Sequence, residues 1–295
     1  MSQNDGHKAI VHRCLLGEGD ARAIAVEATE LVKLLQDIHN LSFLATAALG
    51  RLVMASMMMV ADQKVKRARI TLKVEGDGPL GEVVADAENR GKVRGYVKNP
   101  WVELPLSEEG KWNVSAGVGN NGYLTVIKDL GLKRPLTSKV PLVSGEIAED
   151  IAYYYAKSEQ IPTAIALGVL QKPSLGVVSA GGLMVQLLPD ADESFVGMLE
   201  RLLEKYDSIS RLAEQVGSSQ DILETIFKDL SKKWLGSTSF EFGCRCSRNL
   251  VKALLLSMPE LESEQDVLEV RCHFCNKVYT FTPEEIEELK GGGRS

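Results

Sequence analysis

Two close cysteine pairs, Cys244-Arg245-Cys246 and Cys272-His273-Phe274-Cys275, stand near one end of a 295-residue chain, separated by the 25 residues from 247 to 271. No other feature limits the fold as strongly. Two short thiol pairs joined by a longer excursion are a cheap way to place four soft ligands at the corners of a tetrahedron, the arrangement that Zn²⁺ takes in structural sites with Zn–S near 2.3 Å. The Cys-x-x-Cys pair fits a tight knuckle whose backbone N–H groups face the sulfurs. The Cys-x-Cys pair is less usual, because one intervening residue leaves less freedom to turn both sulfurs onto one ion. The fifth cysteine, Cys14, is far away in sequence. In a reducing compartment such a cluster predicts a metal site or a redox device rather than a disulfide framework.

The remainder of the chain needs no staples. At 44% hydrophobic and 25% charged residues it can bury an ordinary core, and its length allows two domains. A net charge of −6 argues against nucleic acid as main partner, since phosphate binding needs clustered Lys and Arg. The first twenty or so residues lack a basic flank, an apolar stretch and a small-residue cleavage site, so a cytoplasmic location is expected and the sequons at Asn40 and Asn113 carry no weight. Residues 41–60 are apolar enough to suggest a membrane span, but Arg51 sits at their middle, where a charge costs about 2.5–3.5 kcal/mol on insertion scales. A buried core helix is the expectation, with no membrane partner.

Residues 1–189 read as a mixed α/β sheet domain. Helical periodicity runs through 28–40 and 41–60, and strand patterns follow at 70–74, 81–85, 94–97 and 123–127. Ser144 is placed to cap a helix beginning at Gly145, and 163–170 with 183–188 suggest a hairpin around Gly176 and Gly181-Gly182. Strands followed by helices, without strict alternation, predict an α+β fold. Residues 190–235 form a helical linker region with apolar positions at helical spacing in 195–203, 209–216 and 223–230. Helices this short are not stable alone in water and must lean on a neighbour. A sharper reading makes them a linker whose apolar faces are released by a signal. Residues 236–295 form a small zinc-binding module, with Ser247 capping a helix over 250–258, strands at 267–271 and 277–281, and a capping box between Thr282 and Glu285.

The four clustered cysteines carry the chemistry. Bound zinc keeps thiols deprotonated, and the thiolate is the form that peroxide or hypochlorous acid attacks. Oxidation of the ligands would therefore remove the metal that holds the module folded. His273, between ligands, is a poor candidate for a fifth. Gly117-Val-Gly-Asn-Asn-Gly122 matches a dinucleotide-binding pattern, but a strand rather than a helix follows it, so it reads as a turn. There is no ATP-binding loop and no nucleophile elbow. Cys14 reads as an incidental thiol, and His7, His12 and His39 form no ligand spacing with it.

FGCRCSR at 242–248 and VRCHFCNKVYTF at 270–281, together with RGYVKNP at 94–100, VPLVSGEIAEDIAYYYAKSEQIP at 140–162 and AGGLMVQLLP at 180–189, resemble the 33-kilodalton heat-shock protein family, the 33-kDa chaperonins. The gap between the cysteine pairs is slightly short for that family. The resemblance implies a redox-regulated, ATP-independent holdase, not an enzyme, acting in the cytoplasm under stress. In reduced form it would hold one Zn²⁺ per chain through Cys244, Cys246, Cys272 and Cys275. On oxidation, Cys244–Cys246 and Cys272–Cys275 disulfides would form, zinc would leave, the module and linker would unfold, and a homodimer would hold unfolded client proteins. The residues alone leave three pairings of four cysteines open. They also leave two rivals: a zinc-ribbon nucleic-acid or ribosome adaptor, disfavoured by the module's seven basic against ten acidic residues, and a thiol–disulfide exchanger, which lacks a thioredoxin-like context.

Overall fold

The structure, a computed structural model, describes residues 7–107, 110–189, 191–206, 208–257 and 267–292. The chain forms two compact units, Met1–Phe242 and Gly243–Ser295.

The first unit is built on one sheet. It opens with β1 (Lys8–Leu16) and β2 (Ala21–Glu27), continues through α1 (Thr29–His39) and α2 (Phe43–Ala61), and then lays down β3 (Arg69–Glu75), β4 (Glu82–Glu88) and β5 (Lys92–Val97). A short α3 (Val114–Val118) precedes β6 (Tyr123–Asp129) and β7 (Leu136–Pro141). Next come α4 (Ala148–Tyr154), which runs into a π-helical turn at Tyr155–Glu159, and the long pair β8 (Thr163–Lys172) and β9 (Gly176–Leu187). Three helices, α5 (Glu193–Leu203), α6 (Ile209–Val216) and α7 (Ser219–Ile226), lead to β10 (Lys232–Phe242). The ten strands lie in the order β7-β6-β3-β4-β5-β10-β1-β2-β9-β8. All neighbours are antiparallel except β10 and β5, which touch in parallel only at Glu241↔Lys92 and Phe242↔Val93.

Alternation in β2 explains the two layers. Ile24 and Val26 point into a core shared with α1 and α2, while Ala23 and Ala25 point into a second core under α5–α7. Because β2 is buried on both faces it reads as an almost unbroken apolar run, which periodicity alone cannot assign to a strand. α2 is the central helix of the first core. By length and composition it could cross a membrane, yet 89% of its apolar window is buried inside the protein, as expected for a core helix. Arg51, at its middle, forms an ion pair with Glu146.

The strands expected at 70–74, 81–85, 94–97, 123–127 and 163–170 are present as β3, β4, β5, β6 and β8, whereas β1, β2, β7 and β10 carry no sequence expectation. Gly181-Gly182 lies inside β9 rather than in a turn, and the reversal falls between Lys172 and Gly176. Ser144 does not cap α4. Its hydroxyl accepts from the Glu146 N–H at 3.2 Å, and the buried Asp150 carboxylate gathers the N–H groups of Val143, Ser144, Gly145 and Ile147 at 2.8–3.3 Å. That nest holds Ile147 at φ +72°, a costly conformation for a β-branched residue. Gly122 leads directly into β6, as expected of a turn and not of a dinucleotide site.

The boundary that composition sets at 235/236 falls inside β10. Its backbone pairs with β1 as far as Lys8↔Glu241, so the first unit extends to Phe242. The helices within 190–235 cover one face of β1, β2 and β9 in this structure, burying Phe195, Leu199, Leu212, Leu223 and Phe227 there. Residue 190 itself lies outside the described residues.

The second unit holds α8 (Arg248–Leu256), a two-stranded hairpin of β11 (Leu268–Arg271) and β12 (Val278–Phe281), and α9 (Pro283–Gly292). Ser247 caps α8 through the Leu250 N–H at 3.2 Å, as its position predicts, although Met258 at the expected helix end lies outside the described residues. The capping box is present: the Thr282 N–H donates to Glu285 Oε2 at 3.1 Å and the Glu285 N–H to Thr282 Oγ1 at 3.3 Å.

Candidate metal centre

Each cysteine pair is positioned by the element beside it. Cys246 immediately precedes the Ser247 cap, so the start of α8 fixes its direction. Cys272 and Cys275 sit in the turn of the β11–β12 hairpin. The Cys272 N–H donates to the Lys277 carbonyl at 3.0 Å and the Asn276 N–H to the Cys272 carbonyl at 2.8 Å, with Asn276 in the left-handed region at φ +56°. Backbone N–H groups of Phe274 and Cys275 turn to the Cys272 sulfur, and that of Lys277 to the Cys275 sulfur.

The four sulfurs converge. All lie within 4.8 Å of one another, with Cys244 Sγ 3.6 Å from Cys272 Sγ and Cys246 Sγ 3.3 Å from Cys275 Sγ. A tetrahedron with metal–sulfur bonds of about 2.3 Å has edges of roughly 3.8 Å, so one ion fits among them after small adjustments. Electrostatics in the cluster also calls for a cation. Burial raises the Cys246 thiol, but hydrogen bonds from the Tyr279 hydroxyl and the neighbouring thiols outweigh it and bring that group down to about 7. Burial pushes up Cys272 and Cys275 despite the backbone N–H groups facing them, and for Cys275 the other three sulfurs add to the rise. Four adjacent sulfurs cannot all carry charge without a compensating ion, and the cluster could hold a metal ion in that role.

Sequence reasoning finds the four sulfurs but not their support. Tyr279, on β12, donates its hydroxyl to Cys246 Sγ at 3.2 Å. Arg248 grips Glu285 through two contacts of 2.8 Å and lies 4.4 Å over the Phe281 ring, tying α8, β12 and α9 together around the site. Alternation in Val278–Phe281 signals that Tyr279 and Phe281 face inward, but not that the phenol reaches a sulfur.

The remaining candidates lie elsewhere. His273 is exposed and outside the four-sulfur group. Cys14 is buried under the α5–α7 layer, where burial pushes its thiol up to about 11 and makes it a poor nucleophile at neutral pH. His7 pairs with the Glu30 carbonyl and His12 with Ser219. Among the described residues neither joins a metal-binding group.

Residues 10–282 match the family described as Hsp33 protein. The chain belongs to the Hsp33 family. The 33 kDa chaperonin of Acetivibrio thermocellus is 45% identical over 94% of this chain and 95% of its own length, and that of Halalkalibacterium halodurans is 42% identical over 92% and 95%. The crystal structure of the 33 kDa chaperonin from Thermotoga maritima matches with a TM-score of 0.87 at 40% identity, covering 97% of this chain and 99% of that one. Hsp33 is a family of chaperones and not of enzymes, and the α+β architecture with its clustered cysteines agrees with that assignment.

Proposed function

We propose that this chaperone is a redox-switched holdase whose sensor is a zinc site formed by Cys244, Cys246, Cys272 and Cys275. The observation that carries the reading is the convergence of four sulfurs within 4.8 Å in a unit whose apolar core, among the described residues, is Val251, Leu255, Tyr279, Phe281 and Ile286. Zinc, when bound, holds all four sulfurs as thiolates and supplies the cross-link that so small a core lacks. In that reduced form the chaperone is inactive.

Oxidation acts on the sulfurs. Each disulfide forms as two thiolates give two electrons to a peroxide, which leaves as water after taking up two protons. The proposed pairs are Cys244–Cys246 and Cys272–Cys275. Sulfurs so joined no longer offer four thiolate ligands, and each bridge closes too short a loop to restore much stability. The second unit then unfolds, and residues 190–235 act as a labile linker. The helices α5, α6 and α7, of 11, 8 and 8 residues, leave the sheet and expose apolar faces to unfolding clients and to a second copy of the chain. No nucleotide takes part, and the cytoplasm is the compartment in which such thiols stay reduced until stress.

The test measures zinc content and suppression of client aggregation side by side, before and after peroxide with mild heat. The expected result is one zinc per chain with little suppression in the reduced protein, and lost zinc with strong suppression after oxidation. Equal suppression by the reduced, zinc-loaded protein would overturn the switch.

A further inference from the structure

The sheet face beneath α5–α7 ends in small residues at the β8 edge. There Ala164, Ala166 and Gly168 lie opposite Val185, Leu183 and Gly181 of β9. A Cβ added to Gly168 would stand 2.9 Å from Ser210 Cβ, and one on Gly181 2.7 Å from Ala213 Cβ. α6 therefore rests almost directly on the glycine pair. Further along the same face the fit opens. Ala164 and Ala166 stay exposed, and between them and the helices lies a cavity of about 120 Å³.

The walls of this cavity are apolar. Leu183 and Val185 complete its floor, and Leu203, Ile209 and Ile226 form its roof. Tyr206 has the one polar side chain among the described residues lining it, and its hydroxyl donates to the Thr225 carbonyl at 3.2 Å. A polar ligand would find few hydrogen-bond partners among these walls, whereas an apolar one needs none. An engineered cavity of about 150 Å³ lined by Leu, Ile and Phe in an unrelated protein takes up benzene, which sets the scale.

We propose that this cavity binds one small apolar molecule, a single aromatic ring or a short branched hydrocarbon. The floor belongs to the sheet and the roof to α5, α6 and α7, so the site exists only while those helices are docked. A ligand there stabilises the docked state by mass action and delays helix release. This second step rests on the release proposed above, and the binding itself does not.

Benzene titrated into the full-length reduced protein, followed by methyl resonances, tests the site. Saturable shifts confined to the lining methyl groups are expected, and the filling variant Ala166→Leu should weaken binding about tenfold with zinc content unchanged. Ala164→Leu is the second filling variant should the first fold poorly. Absence of saturable binding, or equal binding in a folded filling variant, overturns the site. With saturating benzene, peroxide should bring on aggregation suppression more slowly in the original protein and not in the filled one. Cavity binding with an unchanged onset upholds the site and overturns its coupling to helix release.

Discussion

The two units differ in what holds them folded. The first buries apolar side chains on both faces of a ten-stranded sheet, in two cores that include α2 on one side and Phe195, Ile222 and Phe227 on the other. Among its described residues the second buries five, Val251, Leu255, Tyr279, Phe281 and Ile286. Ordering each residue costs about 1–2 kcal/mol of backbone entropy, which so few side chains cannot offset. The larger unit is stable on packing, while the smaller, under the proposed function, depends on a four-sulfur centre whose ligands oxidants can reach. Stability and chemical sensitivity are thereby placed in separate parts of one chain.

The sharpest way to break this comparison is to remove the metal. Structural zinc contributes about 10–16 kcal/mol in small zinc-dependent modules. Cys272→Ser, or chelation of the native protein, should abolish amide protection in α8, β11 and β12 while β1–β4 keep theirs. Hydrogen exchange read by mass spectrometry checks this, and a second unit that stays protected without metal would show that its core suffices.

The next effect lies within the first unit. Phe227 is fully buried beneath the sheet face that α5–α7 cover, and Phe240 of β10 is fully buried in the opposite core. Phe227→Ala should cost about 3–5 kcal/mol, and because the helices are short the loss should appear as opening of residues 193–226 rather than of the sheet. Under the proposed switch, this variant suppresses client aggregation with less oxidant. β10 adds a constraint: it is paired to β1 along its length, so the helical layer is anchored by strands at both ends. Limited proteolysis of the oxidised protein should therefore cut in 190–231 and beyond 242, sparing β10. First cuts within β3–β9 would reverse the order of stability argued here.

Local signals were the legible ones. The Ser247 cap and the Thr282–Glu285 box each depend on residues a few positions apart, and each predicts its structure correctly at that scale. What escaped depends on distant partners. β2 carries too little alternation because both its faces are covered, β1 leaves the apolar Ile10 exposed and breaks its alternation at the irregularity between Arg13 and Cys14, and β10, with Gly236 in a largely exposed stretch, gains its strand character from pairing with β1 some two hundred residues earlier. At the metal centre the four sulfurs follow from spacing. The Tyr279 hydroxyl at Cys246 and the Arg248–Glu285 grip follow only from how the hairpin and helices meet.

That grip gives a smaller test of the second unit. Both side chains are over a third exposed, so the pair should couple only weakly in a double-mutant cycle of Arg248→Ala and Glu285→Gln. Measured as the zinc concentration needed for half-folding, each single variant should shift the midpoint slightly, and the double variant less than their sum. Strict additivity would mean that the contact contributes nothing beyond its separate parts.

The smallest expected effect is a pH response confined to the helical layer. His12 on β1 faces the start of α7, with Nδ1 2.9 Å from Ser219 Oγ and its ring edge-on to Trp234 at 6.1 Å between centroids. Burial lowers the pKa of His12, opposed by the Asp221 carboxylate. The depressed value fixes the sign. Above the unfolded value of about 6.5 the imidazole is neutral whether α7 is docked or released, and the docked arrangement is fully stable. Below it the released state takes up a proton first, so docking weakens as pH falls through the depressed value. A proton on His12 would also bring positive charge to the N-terminal end of α7, where the helix dipole is already positive. Amide exchange in 219–226 should accordingly quicken on moving from above to below about pH 6.5, beyond the ordinary chemical dependence of exchange. His12→Gln cannot titrate and should flatten that excess. If the excess persists undiminished in this variant, the pH response belongs to other groups and His12 plays no part in holding the layer.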